Sequence, residues 1–229
     1  MDNPHPLNYL DDLVKHALRH VKPGKTIGLG TGRTASAFIR ALGASGVKIR
    51  GVPTSEASHQ LAQSLGIELT SLHEVARLDA DFDGADEVDP NLNMIKGLGG
   101  ALVREKIVAM ASHRRYFLIG DEKLVNRLGE HGNLPVEVIP FASAFASREL
   151  KALGLEPKIR HDAKGAEYLS DNGNLVLDCG VGVIRNPAKL ERDLLAIPGV
   201  VGTGLFVGIA DVVLVASQSG KVKTLRKPQ

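Results

Sequence analysis

The chain has 229 residues, enough for one large domain or a large and a small one, and its hydrophobic (43%) and charged (24%) fractions are ordinary for globular proteins. With a formal net charge of +2 and 4% aromatic residues, it has little to attract a polyanion or to stack bases, so nucleic-acid binding is not expected. The single cysteine, Cys179, excludes an intrachain disulfide and a cysteine-based zinc cage.

The sequence also lacks the apolar segments that membranes and secretion require. No run of about 18 apolar residues occurs, and residues 1–13 have no apolar signal-peptide core. We therefore expect a soluble cytoplasmic protein without a membrane partner. Glycine accounts for 25 of the 229 residues, a density typical of tight turns and of close approach between the backbone and another group.

The first half of the chain alternates short apolar strands with amphipathic helices. Helices are predicted over 7–21, 34–42, 55–65 and 101–111, and strands over 26–30, 47–52, 80–83 and 116–119. Alternation of this kind predicts an α/β fold with a Rossmann-like parallel sheet and helices on both of its faces.

The second half has a different order of elements. The pattern predicts a strand at 136–141, a helix at 144–153, a strand at 156–160, a strand pair across 168–179, a helix at 187–197 and a strand at 200–206. The order β-α-β-β-α-β is that of a ferredoxin-like α+β lobe. A strand at 212–215 and the tail are expected to return to the first sheet. We thus predict a Rossmann-like catalytic domain over 1–132 plus 207–229 and a small ferredoxin-like domain over 133–206.

A glycine-rich turn, GLGTGRT (28–34), joins the first strand to the second helix. Backbone N–H groups, a helix N-terminus and threonine hydroxyls at such a turn can bind a phosphate group. The turn lacks the GK[ST] of a nucleoside triphosphate site, and it also lacks the third glycine of a dinucleotide site. The second strand has no acidic residue at its end, which argues further against NAD. A turn that serves only packing is the alternative.

An acidic segment, DADFDGADEVDP (79–90), follows the third predicted strand. Its opening spacing imitates a calcium loop, but Asp86 stands where an aliphatic residue belongs and a proline stands in place of the bidentate glutamate. The carboxyl edge of a parallel sheet is where open α/β folds bind ligands. Asp83 and Asp86, which flank Gly84 and Ala85, are therefore candidate site residues, and a solvated acidic turn is the alternative.

A second glycine-rich segment, KGLGGALVREK (96–106), precedes a predicted helix. We expect Glu105 to project away from the core-facing stripe of this helix, which is predicted to consist of Val103, Ile107, Met110 and Ala111. No cation lies three or four residues from Glu105 along the helix. Apolar surroundings raise the pKa of a carboxyl group, which suits a proton-transfer base near neutral pH. An ordinary exposed glutamate is the alternative.

Together these segments resemble ribose-5-phosphate isomerases of the A type. The resemblance is carried by GLGTGRTASAFI (28–39), GVPTSEAS (51–58), DGADEVDP (83–90), KGLGGALVREKIVA (96–109), LPVEVIPF (134–141), SDNGN (170–174) and IPGVVGTGLF (197–206). It implies a Rossmann-like domain with a ferredoxin-like lobe, a homodimer or homotetramer, no metal and no organic cofactor. The implied reaction interconverts D-ribose 5-phosphate and D-ribulose 5-phosphate in the non-oxidative pentose phosphate pathway.

The resemblance also implies roles for individual residues. Glu105 matches the base that carries a proton between C1 and C2 through a cis-enediol(ate), and Asp83, Asp86 and Lys96 match positions that open the sugar ring and polarise its oxygens. The candidate substrate-binding residues are Thr31, Gly32, Arg33, Thr34, Gly84, Ala85, Gly97, Leu98, Gly99 and His131. An enediolate needs a carboxylate base and a cation or aligned N–H groups, and these residues offer both.

Three departures from the family pattern concern positive charge. Arg33 replaces the serine of the usual GTGST, and lysines often found in the family are missing at Leu10 and in the segment 130–133. Because a guanidinium matches phosphate geometry, we hypothesise that Arg33 supplies the phosphate-binding charge that those lysines provide elsewhere.

Other functions would leave other marks on the sequence. A non-catalytic sugar-phosphate sensor needs the phosphate loop alone and usually carries a DNA-binding domain, for which this chain has no residues to spare. A related sugar-phosphate deaminase would release ammonia, and a CoA transferase would need a covalent carboxylate and a CoA site. The joint presence of Asp83, Asp86, Lys96 and Glu105 favours the isomerase.

Overall fold

A parallel β-sheet forms the frame of the first of two units into which the chain divides. The computed structural model describes residues 8–227. The first unit comprises the described residues up to Ala85, then Ile107–Leu124, then the residues from Ile209 onward. The second comprises Asp86–Lys106 and Val125–Gly208.

Seven strands make up the sheet of the first unit: β1 (Thr26–Leu29), β2 (Arg50–Pro53), β3 (Glu68–Leu69), β4 (Ala80–Gly84), β7 (Arg115–Gly120), β13 (Val212–Ala216) and β14 (Val222–Arg226). Their order across the sheet is β14-β13-β7-β4-β1-β2-β3. All neighbours are parallel except β14, which runs antiparallel to β13. Helices α1 (Asn8–Leu18), α2 (Arg33–Ser45) and α3 (Glu56–Ser64) belong to the same unit.

One face of this sheet holds the main core. The rings of Phe38, from α2, and Phe82, from β4, stack with centroids 4.6 Å apart, and Tyr116 stacks on Phe82 at 4.9 Å. Because successive side chains of a strand point to opposite faces, Asp81 and Asp83 project to the other face of β4. Apolar packing of the strand therefore determines the side on which its carboxylates lie.

The strands of the second unit are β5 (Glu87–Val88), β6 (Met94–Ile95), β8 (Asn133–Val138), β9 (Glu156–Ile159), β10 (Leu175–Gly180), β11 (Val200–Thr203) and β12 (Leu205–Phe206), and its helices include α5 (Ser143–Ala152) and α6 (Pro187–Leu195). They form a four-stranded antiparallel sheet in the order β11-β8-β10-β9 and a three-stranded sheet in the order β12-β6-β5. The division between the units falls within α4 (Leu102–Ala111). Two short 3-10 helices lie at Asp121–Lys123 and Pro140–Ala142.

The expected fold class is confirmed, with a Rossmann-like sheet and a ferredoxin-like lobe built from β8-α5-β9-β10-α6-β11. The tail also returns to the first sheet, as β14. The expected start of the first helix at Leu7 lies outside the described residues. The strand predicted over 200–206 instead divides between two sheets, because Gly204 separates β11 from β12.

The structure divides the chain at other places than the domain boundaries expected from the sequence. Residues 86–106, 125–132 and 207–208, expected in the first domain, group with the second unit. Pairing accounts for the difference, because β6 pairs with β12, and the backbone N–H of Val125 donates to the carbonyl of Val88 at 3.0 Å. Strands of two residues that pair with distant partners leave no periodic signal in the sequence.

Cys179 lies in β10 and is fully buried, as a small hydrophobic residue would be. Burial, with a smaller effect of the neighbouring Asp178, raises the pKa of its thiol to about 12. Residues 8–227 include no helix that is both long enough and apolar enough to cross a membrane.

Candidate active-site residues

Asp83 lies at the end of the buried part of β4, where its carboxylate orders the neighbouring backbone. The residue is 1% exposed. Its Oδ1 accepts hydrogen bonds from the backbone N–H groups of Thr31, at 3.1 Å, and Gly84, at 2.7 Å. Gly30 provides the necessary room, because a Cβ there would overlap the Asp83 carboxylate and lie 2.7 Å from the Asp83 Cα. Gly30 therefore serves packing, while the residues after it remain candidates for substrate binding.

The hydroxyl of Thr31 is fixed by the segment that leads into α3. Its Oγ1 lies 2.7 Å from the Oγ1 of Thr54 and donates to the Oγ of Ser55 at 2.8 Å. The backbone N–H of Thr54 donates to the carbonyl of Leu29. Ser55 is the N-cap of α3 and forms a capping box with Ser58. The start of α3 thus positions Thr31, the substrate-binding candidate that lies just before α2.

The first turn of α2 contains the other candidates of this loop. Gly32 is the N-cap residue, with φ at 100°, and no side chain caps the helix there. The N–H groups of a helix start that lacks a side-chain cap can bind an anion. Thr34 lies beside Gly84, with its Cβ 3.8 Å from the position that a Gly84 Cβ would take. Arg33 is exposed on the same turn.

Arg33 has a neighbour that the sequence did not predict. Its Nη2 donates to the Tyr9 hydroxyl at 3.4 Å, and that hydroxyl donates to the Glu122 carboxylate at 3.5 Å. Burial, followed by the negative charge of Glu122, raises the pKa of Tyr9. Leu10, which aligns with a family lysine, is buried in the core. The residue of α1 that approaches Arg33 is therefore Tyr9.

A buried ion pair dominates the candidate residues of the second unit. The Nζ of Lys96 lies 3.4 Å from the Oε2 of Glu105, and each side chain is 3% exposed. The backbone N–H of Lys96 donates to the carbonyl of Gly204 at 2.9 Å, and its Nζ lies 5.3 Å from the centroid of the Phe206 ring. Burial of two charges is costly even when they are paired. Buried charged groups, which are unfavourable for folding, are typical of functional sites.

The face of α4 that carries Glu105 is the reverse of the one predicted. Ile107 and Met110, predicted to face the core, are 50% and 55% exposed, whereas Leu102 is fully buried and Glu105 lies on its face. The predicted stripe was wrong because this helix carries apolar residues on both sides, so periodicity alone does not select one. The cation that balances Glu105 comes from Lys96, before the helix, and not from a helical neighbour.

Asp86 and the glycine-rich segment before α4 are joined by one hydrogen bond. The backbone N–H of Leu98 donates to the Oδ2 of Asp86 at 3.1 Å. Leu98 and Gly99 are exposed, whereas Gly97 is buried. Asp86 and the loop residues 96–99 therefore form one group with the ion pair of Lys96.

His131 lies in a loop that a buried carboxylate holds in place. The carboxylate of Glu87, 1% exposed, accepts from the backbone N–H groups of Gly129 and His131, both at 2.6 Å. The imidazole Nδ1 of His131 lies 3.7 Å from the Glu87 Oε1, and half of the side chain is exposed. Glu87 thus positions a substrate-binding candidate.

The candidate residues form two groups, one in each unit. The first unit carries Thr31, Gly32, Arg33, Thr34, Asp83, Gly84 and Ala85, and the second carries Asp86, Lys96, Gly97, Leu98, Gly99, Glu105 and His131. Sequence reasoning missed several supporting residues, namely Tyr9, Thr54, Ser55 and Glu87. The capping pattern Ser-x-x-Ser at 55–58 was the available signal for one of them.

The ion pair of Lys96 and Glu105 and the N–H groups near it are of the kind that can support proton transfer. A buried carboxylate beside an ammonium can exchange a proton with carbon while the cation and nearby N–H groups stabilise charge on oxygen. Within residues 8–227, no group of three or more histidine, cysteine, aspartate or glutamate side chains is arranged to hold a metal ion.

Comparison with known proteins identifies the family. The sequence model of ribose 5-phosphate isomerase A (phosphoriboisomerase A) matches residues 50–220. Ribose-5-phosphate isomerase A of Roseiflexus sp. (strain RS-1) is 48% identical over 220 residues, which are 94% of each chain. The protein of the same name from Gloeobacter violaceus is 46% identical over 211 residues, covering 90% of this chain and 91% of that protein.

Comparison with solved structures identifies the same family. Ribose 5-phosphate isomerase A of Methanocaldococcus jannaschii superposes with a TM-score of 0.90 at 41% identity, covering 96% of this chain and 98% of its own. A D-ribose-5-phosphate isomerase in complex with phospho-erythronic acid superposes with a TM-score of 0.91 at 37% identity, covering 98% of this chain and 100% of its own. The chain therefore belongs to the ribose 5-phosphate isomerase A family.

Proposed function

We propose that this protein is an aldose–ketose isomerase that interconverts D-ribose 5-phosphate and D-ribulose 5-phosphate in the non-oxidative pentose phosphate pathway. The buried pair of Lys96 and Glu105 is the observation that carries the proposal, because a base and a cation 3.4 Å apart are what an enediolate reaction requires. Membership of the family supports the same reaction.

Glu105 is the base in this proposal. Its carboxylate removes the proton from C2 of the open-chain aldose, and the electron pair of that bond forms the C1–C2 double bond of a cis-enediol(ate). Glu105 then returns the proton to C1, while a proton passes from the C2 hydroxyl to the C1 oxygen and C2 becomes the carbonyl. The ammonium of Lys96 stabilises the negative charge that develops on oxygen.

The remaining candidates bind the sugar and open its ring. Ring opening moves a proton from the anomeric hydroxyl to the ring oxygen, which carboxyl groups such as those of Asp83 and Asp86 can catalyse. The phospho-erythronic acid bound to a relative combines a phosphate with a planar carboxylate, whose two oxygens resemble those of an enediolate. Residues 31–34 and 96–99, with Gly84, Ala85 and His131, are proposed to contact the substrate.

The decisive experiment measures ketose formation from D-ribose 5-phosphate, with unphosphorylated ribose and with added EDTA in parallel. We expect turnover that requires the phosphate and is unaffected by EDTA, since neither a metal nor an organic cofactor enters the proposed reaction. Absence of turnover, together with thermal stabilisation by the sugar phosphate, would instead indicate the non-catalytic sensor.

Arg33 is proposed to bind the substrate phosphate from the first turn of α2. We expect Arg33→Ser to raise the KM for D-ribose 5-phosphate about tenfold or more, because a hydrogen bond to a charged group contributes about 1.5–3 kcal/mol. Steady-state kinetics measure the change. Arg40→Ser, which removes another exposed arginine of the same helix, is the matched control and should leave KM unchanged. An unchanged KM in Arg33→Ser would contradict this role.

The proposal extends to a cytoplasmic homodimer or homotetramer. Exposed apolar side chains on the second unit support association, since Phe141 is 99% exposed and Ile139 and Phe145 near it are 40% and 39% exposed. Light scattering during size-exclusion chromatography measures the oligomeric state directly. No nucleic-acid or membrane partner is part of the proposal.

A further inference from the structure

The segment Lys96–Gly100, here called the glycine loop, is held by hydrogen bonds of its backbone in addition to the ion pair of Lys96. The N–H of Lys96 donates to the carbonyl of Gly204, and the N–H of Leu98 donates to Asp86. The Leu98 side chain, in contrast, is 46% exposed. The direction of the backbone groups in this loop therefore depends on partners elsewhere in the second unit.

Arg160, directly after β9, is one of these partners. Its Nη1 donates to the carbonyl of Leu98 at 3.0 Å and, over a longer distance of 3.4 Å, to the carbonyl of Gly97. The same guanidinium forms a two-point ion pair with Asp178 of β10, with Nε donating to Oδ2 at 2.8 Å and Nη2 donating to Oδ1 at 2.5 Å. An arginine can make these contacts at once because its donors lie in one plane.

The geometry of a peptide bond links Arg160 to Asp86. The Gly97 carbonyl and the Leu98 N–H belong to the same planar trans peptide, so they point in opposite directions. Arg160 contacts the carbonyl and Asp86 accepts from the N–H. By the same geometry, the contact to the Leu98 carbonyl turns the N–H of Gly99 away from Arg160.

Tyr168 makes a second contact between this arginine and the loop. The guanidinium lies over the Tyr168 ring, 5.6 Å from its centroid. The Tyr168 hydroxyl packs so closely against Gly100 that a Cβ at this glycine would overlap it. Arg160 is thus enclosed by a carboxylate, an aromatic ring and two carbonyls, and its side chain is only 13% exposed.

We propose that Arg160, held by Asp178, is a positioning residue for the isomerase reaction. By fixing two peptide planes of the glycine loop, it directs the Leu98 N–H to Asp86 and turns the Gly99 N–H to the side opposite the guanidinium. The inference rests on the proposed function in so far as Asp86 and the loop act on substrate.

The test compares Arg160→Met and Arg160→Lys with a matched control. Arg115 and Asp211 form a two-point ion pair of the same kind, at 2.7 and 2.8 Å, in which no candidate residue takes part. We expect Arg160→Met to lower kcat/KM for D-ribose 5-phosphate about 10²-fold, as small misplacements of reacting groups do. Arg160→Lys, which keeps a charge but not the planar donors, should recover part of this loss, and Arg115→Met should retain wild-type kinetics.

Hydrogen exchange of the backbone N–H groups of Leu98 and Gly100, which donate to Asp86 and to the Gly97 carbonyl, provides a readout that does not depend on activity. Arg160→Met should accelerate exchange in the glycine loop, and Arg115→Met should not. The positioning role is wrong if Arg160→Met keeps its kcat/KM within about threefold of wild type and loses only thermal stability, to the same extent as Arg115→Met. If the wild-type protein itself has no isomerase activity, the proposed function fails, and unchanged exchange would separately overturn the positioning of the loop.

Discussion

Glu105→Gln should reduce kcat for D-ribose 5-phosphate isomerisation by about 10²–10⁴-fold, because an amide cannot accept the proton from carbon and removal of a general base has that cost. The same change removes one charge of the buried pair with Lys96, and breaking a buried pair typically destabilises a protein by about 3–5 kcal/mol. Kinetics should therefore be measured at a temperature where circular dichroism shows the variant to be folded.

The neighbouring ion pair on α4 provides the control for this variant. The Nζ of Lys106 donates to the Oε1 of Glu191 at 2.5 Å, and the two side chains are 21% and 19% exposed. Burial lowers the pKa of Lys106, against the opposing effect of Glu191. Glu191→Gln should cost stability while it retains turnover. Turnover like that of the wild type in folded Glu105→Gln would remove Glu105 from the mechanism.

Gly30→Ala should damage both the fold and the site. The added Cβ would overlap the Asp83 carboxylate and lie 2.7 Å from a backbone atom, which cannot move aside as a flexible side chain would. The N–H of Gly30 also donates to the carbonyl of Phe82 at 3.0 Å, so a shift of the backbone strains the pairing of β1 with β4. We expect the free energy of unfolding to fall by about 3 kcal/mol. For a chain of this length, that corresponds to a Tm lower by roughly 6–12 °C.

Gly84→Ala is the comparison for stability, because the nearest atoms to a Cβ there lie at 3.8 and 3.9 Å. Urea unfolding of both variants measures the difference, and assays well below the unfolding transition measure whether displacement of Asp83 also reduces turnover. If Gly30→Ala is as stable as Gly84→Ala, the close approach of Gly30 to Asp83 does not have the importance that we assign to it.

The architecture could be predicted from the sequence because its main elements are local. Strands such as β1 and β7 are short apolar runs separated by amphipathic helices, and this pattern specifies parallel βαβ units without knowledge of distant contacts. The carboxylates of Asp83 and Asp86 could likewise be assigned to the carboxyl edge of a strand, since position along a strand determines the edge of the sheet.

Long-range contacts could not be predicted from the sequence in this way. The pairing of β6 with β12 joins two-residue strands far apart in the chain, and the bond from Arg160 to Leu98 spans 62 positions. The orientation of α4 was also undetermined, because Leu102 and Ile107 offer apolar surface on opposite sides of the helix. In each case the outcome depends on which partner packs there, and neither periodicity nor motif spacing contains that information.

The last strand of the large sheet has a consequence for how this protein behaves among copies of itself. An unpaired sheet edge invites strands of other molecules to add to it, and charged side chains or very short strands oppose such addition. At one edge, β14 exposes Lys223 and Arg226, and at the other, β3 has only two residues. The backbone of β14 thus extends the sheet by one strand. The positive charges of the same strand oppose the addition of a strand from another molecule.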